Sequence, residues 1–327
     1  MKIKFVFVLV FLASFAFSQE VIVNTSNSGN VEVRQKSKSL DTLELPFFED
    51  FSVPVKFDNH FTDNDVTIEN DACILPPSVG AAMFDAINSD GNFHSNVYNS
   101  SVKADVLTSK PINLDYHPDS NIFFSFYYQP KGLLDLPEEN DSLVLQFFKP
   151  HPQEWETVWF ATKPSDNQPF VQVILKIDDA DFLKKGFKFR FYNYVSIPSN
   201  SHPTLVGNCD FWFVDYIYIN KYRSLGDTIR RDLAFQYPLK FKIDDYQNVP
   251  YKHYKENVSK NVFNHNFVLN LQNNENATRV IHSLSIVFED KLNSIPNDTL
   301  FVGSYSCLLY TSPSPRDRTR SRMPSSA

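Results

Sequence analysis

Three acidic residues stand inside apolar rows of the sequence, where a charge is costly. Glu49 alternates with phenylalanines in FFEDF, Asp215 with apolar residues in FWFVDYIYI, and Asp85 with those in MFDAI. In a strand, alternate residues share a face, so each carboxylate is predicted to face the same way as its apolar neighbours. A carboxylate that points into a core needs a hydrogen-bonding partner or a metal ion.

A calcium ion would satisfy such acids, because Ca²⁺ takes six to eight oxygen ligands. If the first and last strands of a sandwich are neighbours, Glu49 and Asp215 come together. We therefore take Glu49, Asp50, Asp210 and Asp215 as candidate ligands of a structural Ca²⁺. The alternative is that these acids accept hydrogen bonds from the backbone or from Tyr and Arg side chains at strand ends.

The same acids do not predict catalysis. A glycosidase needs two carboxylates that face an open cleft, and Glu49 lies among phenylalanines that would close one. The chain also lacks an H-E-x-x-H pair, a G-x-S-x-G elbow and a phosphate-binding loop, and it has only 8 Gly. We expect no catalytic residues in this chain.

Aromatic residues make up 15% of the chain and are the second source of candidate sites. Exposed aromatic rings on a sandwich face can stack on sugar rings or bind a protein partner. The candidate ligand-binding residues, on the faces opposite the apolar rows or at strand ends, are Tyr127, Trp159, Tyr192 and Tyr194. The alternative is that these rings pack beneath loops or against a second domain.

Short runs with period-two alternation recur along the chain and predict an all-β fold. Phe187, Phe189 and Phe191, for example, alternate with Lys188 and Arg190. Only residues 178–185 have a helical pattern. The predicted strands of the first domain are 45–51, 66–69, 79–87, 104–108, 121–129, 142–149, 155–161, 170–177, 187–195 and 210–220. Ten short strands favour a jelly-roll β-sandwich.

The domain organisation follows from changes in composition. Residues 1–18 have two lysines, an apolar core and an Ala-Phe-Ser cleavage site, which predicts a secretory signal peptide, and residues 19–44 are a polar segment. The sandwich is assigned to 45–222. A smaller β-rich domain is assigned to 233–306 and is expected to be truncated. Residues 307–327 are Ser-, Pro- and Arg-rich and read as a non-native, adapter-like tail.

Charge and cysteine content limit the partners and the compartment. The net charge is −7, and the body is more acidic still because both ends are basic, which argues against nucleic acid or an anionic membrane as partner. No apolar run beyond the signal is long enough to span a membrane. In an exported protein Cys73 and Cys209 can form one disulfide, or both can be buried free thiols.

The order of motifs resembles a known family. FFEDFS (47–52) and ADVLTSKPINL (104–114) are followed by GFKFRFYNY (186–194) and DFWFVDYIYIN (210–220). This order is similar to MAM-type jelly-roll domains and to related modules in surface proteins that gliding bacteria export by type IX secretion. The resemblance implies a structural calcium ion and a role in adhesion or ligand binding. The paired cysteines of MAM domains are largely missing here.

The sequence therefore predicts a non-enzymatic β-sandwich module on the outer cell surface or in the medium. Its expected role is attachment through a surface glycan or a protein partner. The alternative is an accessory domain of a secreted hydrolase whose catalytic part is missing from this chain.

Overall fold

The structure is a computed structural model of the chain. It describes residues 42–53, 59–63, 65–97, 100–164, 168–196, 210–228, 232–238, 240–243, 250–258, 265–275, 277–278, 284–288 and 298–302. The predicted signal peptide, most of the polar N-terminal segment, and the tail lie outside these residues.

The described residues include seventeen strands, a short 3-10 helix (Pro118–Ser120) and an eight-residue α-helix. The strands of the sandwich are β1 (Phe47–Glu49), β2 (Thr67–Glu69), β3 (Ala81–Phe84), β4 (Val102–Thr108), β5 (Ile112–Asn113), β6 (Ile122–Pro130), β7 (Ser142–Lys149), β8 (Glu154–Thr162), β9 (Val171–Ile177), β10 (Lys185–Val195) and β11 (Trp212–Asn220). They are followed by β12 (Leu233–Phe235), β13 (Lys240–Ile243), α1 (Tyr251–Val258), β14 (His265–Val268), β15 (Leu271–Asn273), β16 (Leu284–Phe288) and β17 (Asp298–Val302). No helix among the described residues is long and apolar enough to cross a membrane.

Two antiparallel sheets form the sandwich. The six-stranded sheet has the order β2-β3-β11-β6-β9, and β1 pairs with the second half of β11, next to β3. The five-stranded sheet has the order β4-β10-β7-β8, and β5 pairs with the start of β10. The prediction of an all-β jelly-roll sandwich is confirmed, and the first and last strands of the sandwich are neighbours.

Phenylalanine rings from both sheets fill the space between them. In β10 the predicted row of Phe187, Phe189 and Phe191 is fully buried. Phe189 and Phe191 meet Phe124 and Phe126, which β6 contributes from the opposite sheet, at centroid distances of 4.9–6.2 Å. Large aromatic side chains on alternate positions therefore supply most of the core, as their pattern predicts.

A bulge in β11 breaks the predicted alternation. Trp212 and Val214 lie in the main core, and plain alternation would place Tyr216 there next. Instead the register shifts between Asp215 and Tyr218, Tyr216 takes a positive φ of 58°, and Ile217 returns to the core. The extra residue moves every later side chain to the other face. The expectation that Asp215 shares a face with Ile217 and Ile219 is therefore wrong.

A second bulge has the same effect in β8. Its register with β7 steps from Leu145↔Trp159 to Gln146↔Thr157, which leaves Val158 as the extra residue. As a result Trp155 and Trp159, four positions apart, face opposite sides of the sheet. Trp159 packs against Phe126 and the main core.

Two smaller differences concern helical segments. Residues 178–184 form a turn, not the predicted helix over 178–185, because Phe182 and Leu183 are drawn into the core while their amides bond to the Asp179 carbonyl. The helix α1 was not predicted from the sequence.

Three two-stranded sheets follow the sandwich, formed by β12 with β15, β13 with β14, and β16 with β17. Side chains of this segment bond to a loop of the sandwich: Gln236 donates to the Pro76 carbonyl, Asn274 to the Pro77 carbonyl, and Tyr237 to the Cys73 carbonyl. The assignment of 233–306 to a separate domain stays a prediction.

Candidate functional site

The exposed surface of the five-stranded sheet combines aromatic and basic side chains. Strand register places them on one face, because directly paired residues point the same way. β7 aligns Phe148 with Lys188 and Trp155, and Gln146 with Arg190 and Thr157. We call this surface the outer face, formed by Lys103, Gln146, Phe148, Trp155, Thr157, Phe160, Lys188, Arg190, Tyr192 and Tyr194.

Each cation of the outer face lies over an aromatic ring. The Arg190 guanidinium is 4.1 Å from the Trp155 centroid, the Lys188 ammonium 4.4 Å from that of Phe148, and the Lys103 ammonium 4.1 Å from that of Tyr192. Such contacts attract the cation to the negative face of the ring and orient both groups. The face is therefore a packed layer and not a set of independent surface chains.

Hydrogen bonds fix a polar row across the middle of the outer face. Arg190 Nε donates to Gln146 Oε1 at 2.8 Å, and Gln146 Nε2 donates to Thr157 Oγ1 at 2.9 Å. The row connects three neighbouring strands. It holds the amide and the guanidinium in set orientations between the aromatic residues.

Two rings of the outer face remain open to solvent. Phe160, opposite Val144 in the register, is 64% exposed, and Tyr194, which packs at 5.7 Å from Tyr192, is 36% exposed. Large apolar groups exposed beside polar residues mark interaction surfaces. This is the feature of the outer face that points to a ligand.

Local electrostatics also distinguish the outer face. Burial lowers the pKa of both Lys103 and Arg190, and the positive charge of Arg190 lowers that of Lys103 further. The negative charge of Asp63 acts in the opposite direction on both groups. The two cations thus lie near each other and are partly shielded from water.

The predicted ligand-binding residues divide between three places. Tyr192 and Tyr194 lie on the outer face, while Trp159 packs on the inner side because of the β8 bulge. Tyr127 lies on the opposite sheet, edge to face with Tyr216. The sequence pattern did not identify Phe148, Trp155 and Phe160 as candidate ligand-binding residues. The period-two alternation of β8 places Trp155 and Thr157 on the same face and could have identified these two residues. It does not identify Phe160, because the bulge at Val158 changes the face of the residues that follow.

The surface around Tyr127 is partly covered by the chain that follows the sandwich. The Tyr216 hydroxyl donates to Asp232, and Arg223, only 9% exposed, donates to the Phe123 and Tyr218 carbonyls. These rings therefore match the alternative in which aromatic side chains pack against later parts of the chain.

Among the described residues, the four candidate calcium ligands do not converge on one point. Glu49 contacts His60 Nδ1 at 2.6 Å and accepts from the Phe51 amide. Asp215 is fully buried and accepts from the hydroxyl and amide of Ser78, whose hydroxyl also donates to the Asp50 carbonyl. Asp215 and Glu49 thus have hydrogen-bonding partners, as the alternative interpretation expected.

Asp210 belongs to a different acidic group. Among the described residues, the carboxylates of Glu138, Asp141 and Asp210 converge, with one oxygen of each within 4.8 Å of the others. Burial, then the neighbouring carboxylates of Glu138 and Asp141, raise the pKa of Asp210 to about 10. Glu138 Oε2 is buried and has no hydrogen-bond partner within the described part of the chain. Three crowded carboxyl oxygens fit the donor set that Ca²⁺ prefers.

The buried Asp85 also has neighbours that satisfy it. Its carboxylate accepts from the Ile87 amide at 2.6 Å, and its own amide donates to Asp105. Cys73 is a buried free thiol whose pKa is raised by burial. Cys209 lies outside the described residues.

Of the comparisons with known proteins, the one with solved structures gives matches. No protein-family model matches the chain, and no curated protein matches it. Among solved structures it is similar to a mutant family 29 carbohydrate-binding module, with 13% identity and a TM-score of 0.24 over 53% of this chain and 88% of the module. It is also similar to a mutant xylanase from Cellvibrio japonicus in complex with xylopentaose, with 10% identity and a TM-score of 0.24 over 53% of this chain and 29% of the xylanase.

Proposed function

We propose that the outer face of the five-stranded sheet binds a glycan. The observation that carries this proposal is the exposure of Phe160 and Tyr194 beside the oriented polar row of Arg190, Gln146 and Thr157. An aromatic ring presents an apolar surface to the C–H face of a sugar ring, and neighbouring amide and guanidinium groups bond to its hydroxyls. Both requirements are met within a few strand positions.

The shape of the surface favours a chain over a small molecule. The aromatic residues are spread over β7, β8 and β10 of an open sheet, which leaves room for several sugar units. A polysaccharide can cross such a surface without a free end, so the proposed ligand is the interior of a glycan chain. Binding, without catalysis, is the proposed activity.

We further propose that the protein acts outside the cell, where the predicted signal peptide would deliver it. In that setting a glycan-binding sandwich would serve attachment, either of the cell that carries it or of an enzyme to which it belongs. The accessory-domain alternative makes the same prediction for the outer face.

Replacing Tyr194 or Phe160 with alanine is expected to weaken glycan binding by about tenfold, because each substitution removes an exposed stacking surface. Affinity electrophoresis of the purified full chain against a panel of soluble polysaccharides, followed by calorimetry on those that bind, measures the effect. Phe235→Ala is the matched control, since Phe235 is also exposed (43%) but lies on β12. Undiminished binding in both outer-face variants would contradict the proposed location.

The structural Ca²⁺ stays a prediction, now centred on Glu138, Asp141 and Asp210. At a hundredfold excess over its dissociation constant, Ca²⁺ is expected to raise the unfolding free energy by about 2.7 kcal/mol, because it binds only the folded state. Melting curves in calcium and in EGTA measure this. Asp141→Asn should remove the difference, whereas Asp119→Asn, at an exposed aspartate, should not. Identical midpoints for the parent protein in both buffers would rule out such a site.

A further inference from the structure

Three cations share the outer face of an acidic protein. The chain has a net charge of −7, yet the outer face carries Lys103, Lys188 and Arg190. Some basic residues elsewhere in the described chain are paired, namely Lys149 with Glu156 and Asp179, Lys176 with Asp178, and Arg223 with Asp227. Within the described residues, none of the three outer-face cations forms a salt bridge.

The three cations are arranged in a row. Lys188 and Arg190 are alternate residues of β10 and so lie about 7 Å apart along the strand. Lys103 reaches over Tyr192, the next outer-face residue of β10. A linear ligand that crosses the rings along β10 would therefore meet all three charges in turn.

Holding like charges together without a salt-bridge partner is unfavourable in the free protein. Lys103 and Arg190 repel each other, and partial burial weakens the solvation of both. The acid that acts on them is Asp63, which attracts both groups but makes no salt bridge with either among the described contacts. An incoming anion would relieve this repulsion.

We infer that the glycan bound by the outer face is anionic, with carboxylate or sulfate groups that contact Lys103, Lys188 and Arg190. This inference rests on the proposed glycan-binding function and specifies its ligand class. The aromatic rings supply stacking on the sugar faces, while the cations supply charge-assisted hydrogen bonds to the acidic substituents. Among the contacts of the described residues, Arg190 donates only through its Nε, to Gln146, which leaves its remaining guanidinium N–H groups for this purpose.

The test compares polysaccharides that share a backbone and differ in charge. Polygalacturonate is paired with fully methyl-esterified polygalacturonate, and ι-carrageenan with its desulfated form, all titrated into the full chain by calorimetry. The anionic member of at least one pair is expected to bind at least about tenfold more tightly than its neutral partner at low salt, and this preference should shrink as ionic strength rises. The pair that shows the preference identifies carboxylate or sulfate as the anionic group.

Variants of the charged residues test whether the preference for the anionic polysaccharide arises on the outer face. Lys188→Gln combined with Arg190→Gln is expected to abolish the preference for the anionic member, while Arg190→Lys should keep part of it. Asp63→Asn should strengthen anion binding, because it removes the opposing charge. Lys176→Gln, on the six-stranded sheet, is the control and should change nothing. Thermal melts of each variant check that the fold is retained.

The measurements separate a failure of the anionic inference from a failure of the glycan-binding proposal. Equal affinity within both pairs, with loss of binding in Phe160→Ala, would overturn the anionic inference and leave the glycan-binding proposal intact. No binding to any polysaccharide in either pair, charged or neutral, would overturn both. A preference for the anionic members that survives Lys188→Gln with Arg190→Gln would place the charge recognition elsewhere and overturn the role of these residues.

Discussion

Replacing Phe124 with alanine is expected to lower the free energy of unfolding by about 3–5 kcal/mol. Phe124 is fully buried on β6, and its ring centroid lies 5.2 Å from that of Phe147, 5.0 Å from that of Phe189 and 6.2 Å from that of Phe191. These three rings all belong to the opposite sheet. Truncation would therefore open a cavity between the two sheets. The surrounding side chains are closely packed and cannot move far enough to fill it.

Urea denaturation of the parent and the variant measures this difference. Phe160→Ala is a matched control, because it removes the same side chain from a position that is 64% exposed, and it should cost less than about 1 kcal/mol. Similar losses for the two variants would mean that the Phe124 ring does not occupy a packed interface between the sheets.

The stability of the protein is expected to fall as pH rises, and Asp105 contributes to this fall. This residue of β4 is 1% exposed, accepts from the Asp85 amide at 2.7 Å and lies 3.0 Å from His94 Nε2. Burial, then the negative charge of Asp85, raise the pKa of Asp105 to about 9 from an ordinary value of 3.8. Asp65 adds a smaller effect in the same direction.

The direction of the effect follows from proton linkage. Between pH 4 and 9 the unfolded chain has released the Asp105 proton and the folded protein has kept it, so raising the pH favours unfolding. The contribution is complete below pH 4 and is lost as the pH approaches 9. Burial lowers the pKa of His94, so this neighbour is neutral over the upper part of this range.

Asp105→Asn tests this account, because the amide carbonyl can still accept the Asp85 N–H but carries no proton to lose. Relative to the parent, the variant should gain about 1–3 kcal/mol in unfolding free energy between pH 6.5 and 8.5. The pKa of Asp85 is raised only to about 6, so its titration lies below this interval. Urea titrations of both proteins at several pH values measure the gain, and a constant difference across the interval would show that Asp105 is ionised in the folded state.

The strands themselves were largely predictable. The strand over 142–149 has the predicted bounds, and Phe187, Phe189 and Phe191 are buried as their alternation predicts. A period of two is a local property: when large aromatic residues occupy every second position, only an extended strand on a core can bury them together. The neighbouring positions of β1 and β11 also followed from the sandwich architecture.

The composition of the candidate site was less predictable. One extra residue in β8 turns Trp159 inwards and leaves Trp155 on the outer face, and one extra residue in β11 separates the face of Asp215 from that of Ile217. A bulge cannot be read from the hydrophobic period of the sequence, because its position depends on how the strand pairs with its neighbours. The face assigned to a side chain from the period of two is correct before a bulge and is the opposite face after it.

The row of cations and the acidic group also could not be predicted from the sequence, because their members are far apart in the chain. Lys103 joins Arg190 only because β4 pairs with β10, and Asp210 meets Glu138 and Asp141 only where separate loops converge. Local alternation therefore determined the all-β class, the strands and the buried phenylalanines, since each depends on residues a few positions apart. Strand pairing and bulges decided which side chains share a surface, because that depends on contacts between residues that are distant in the chain.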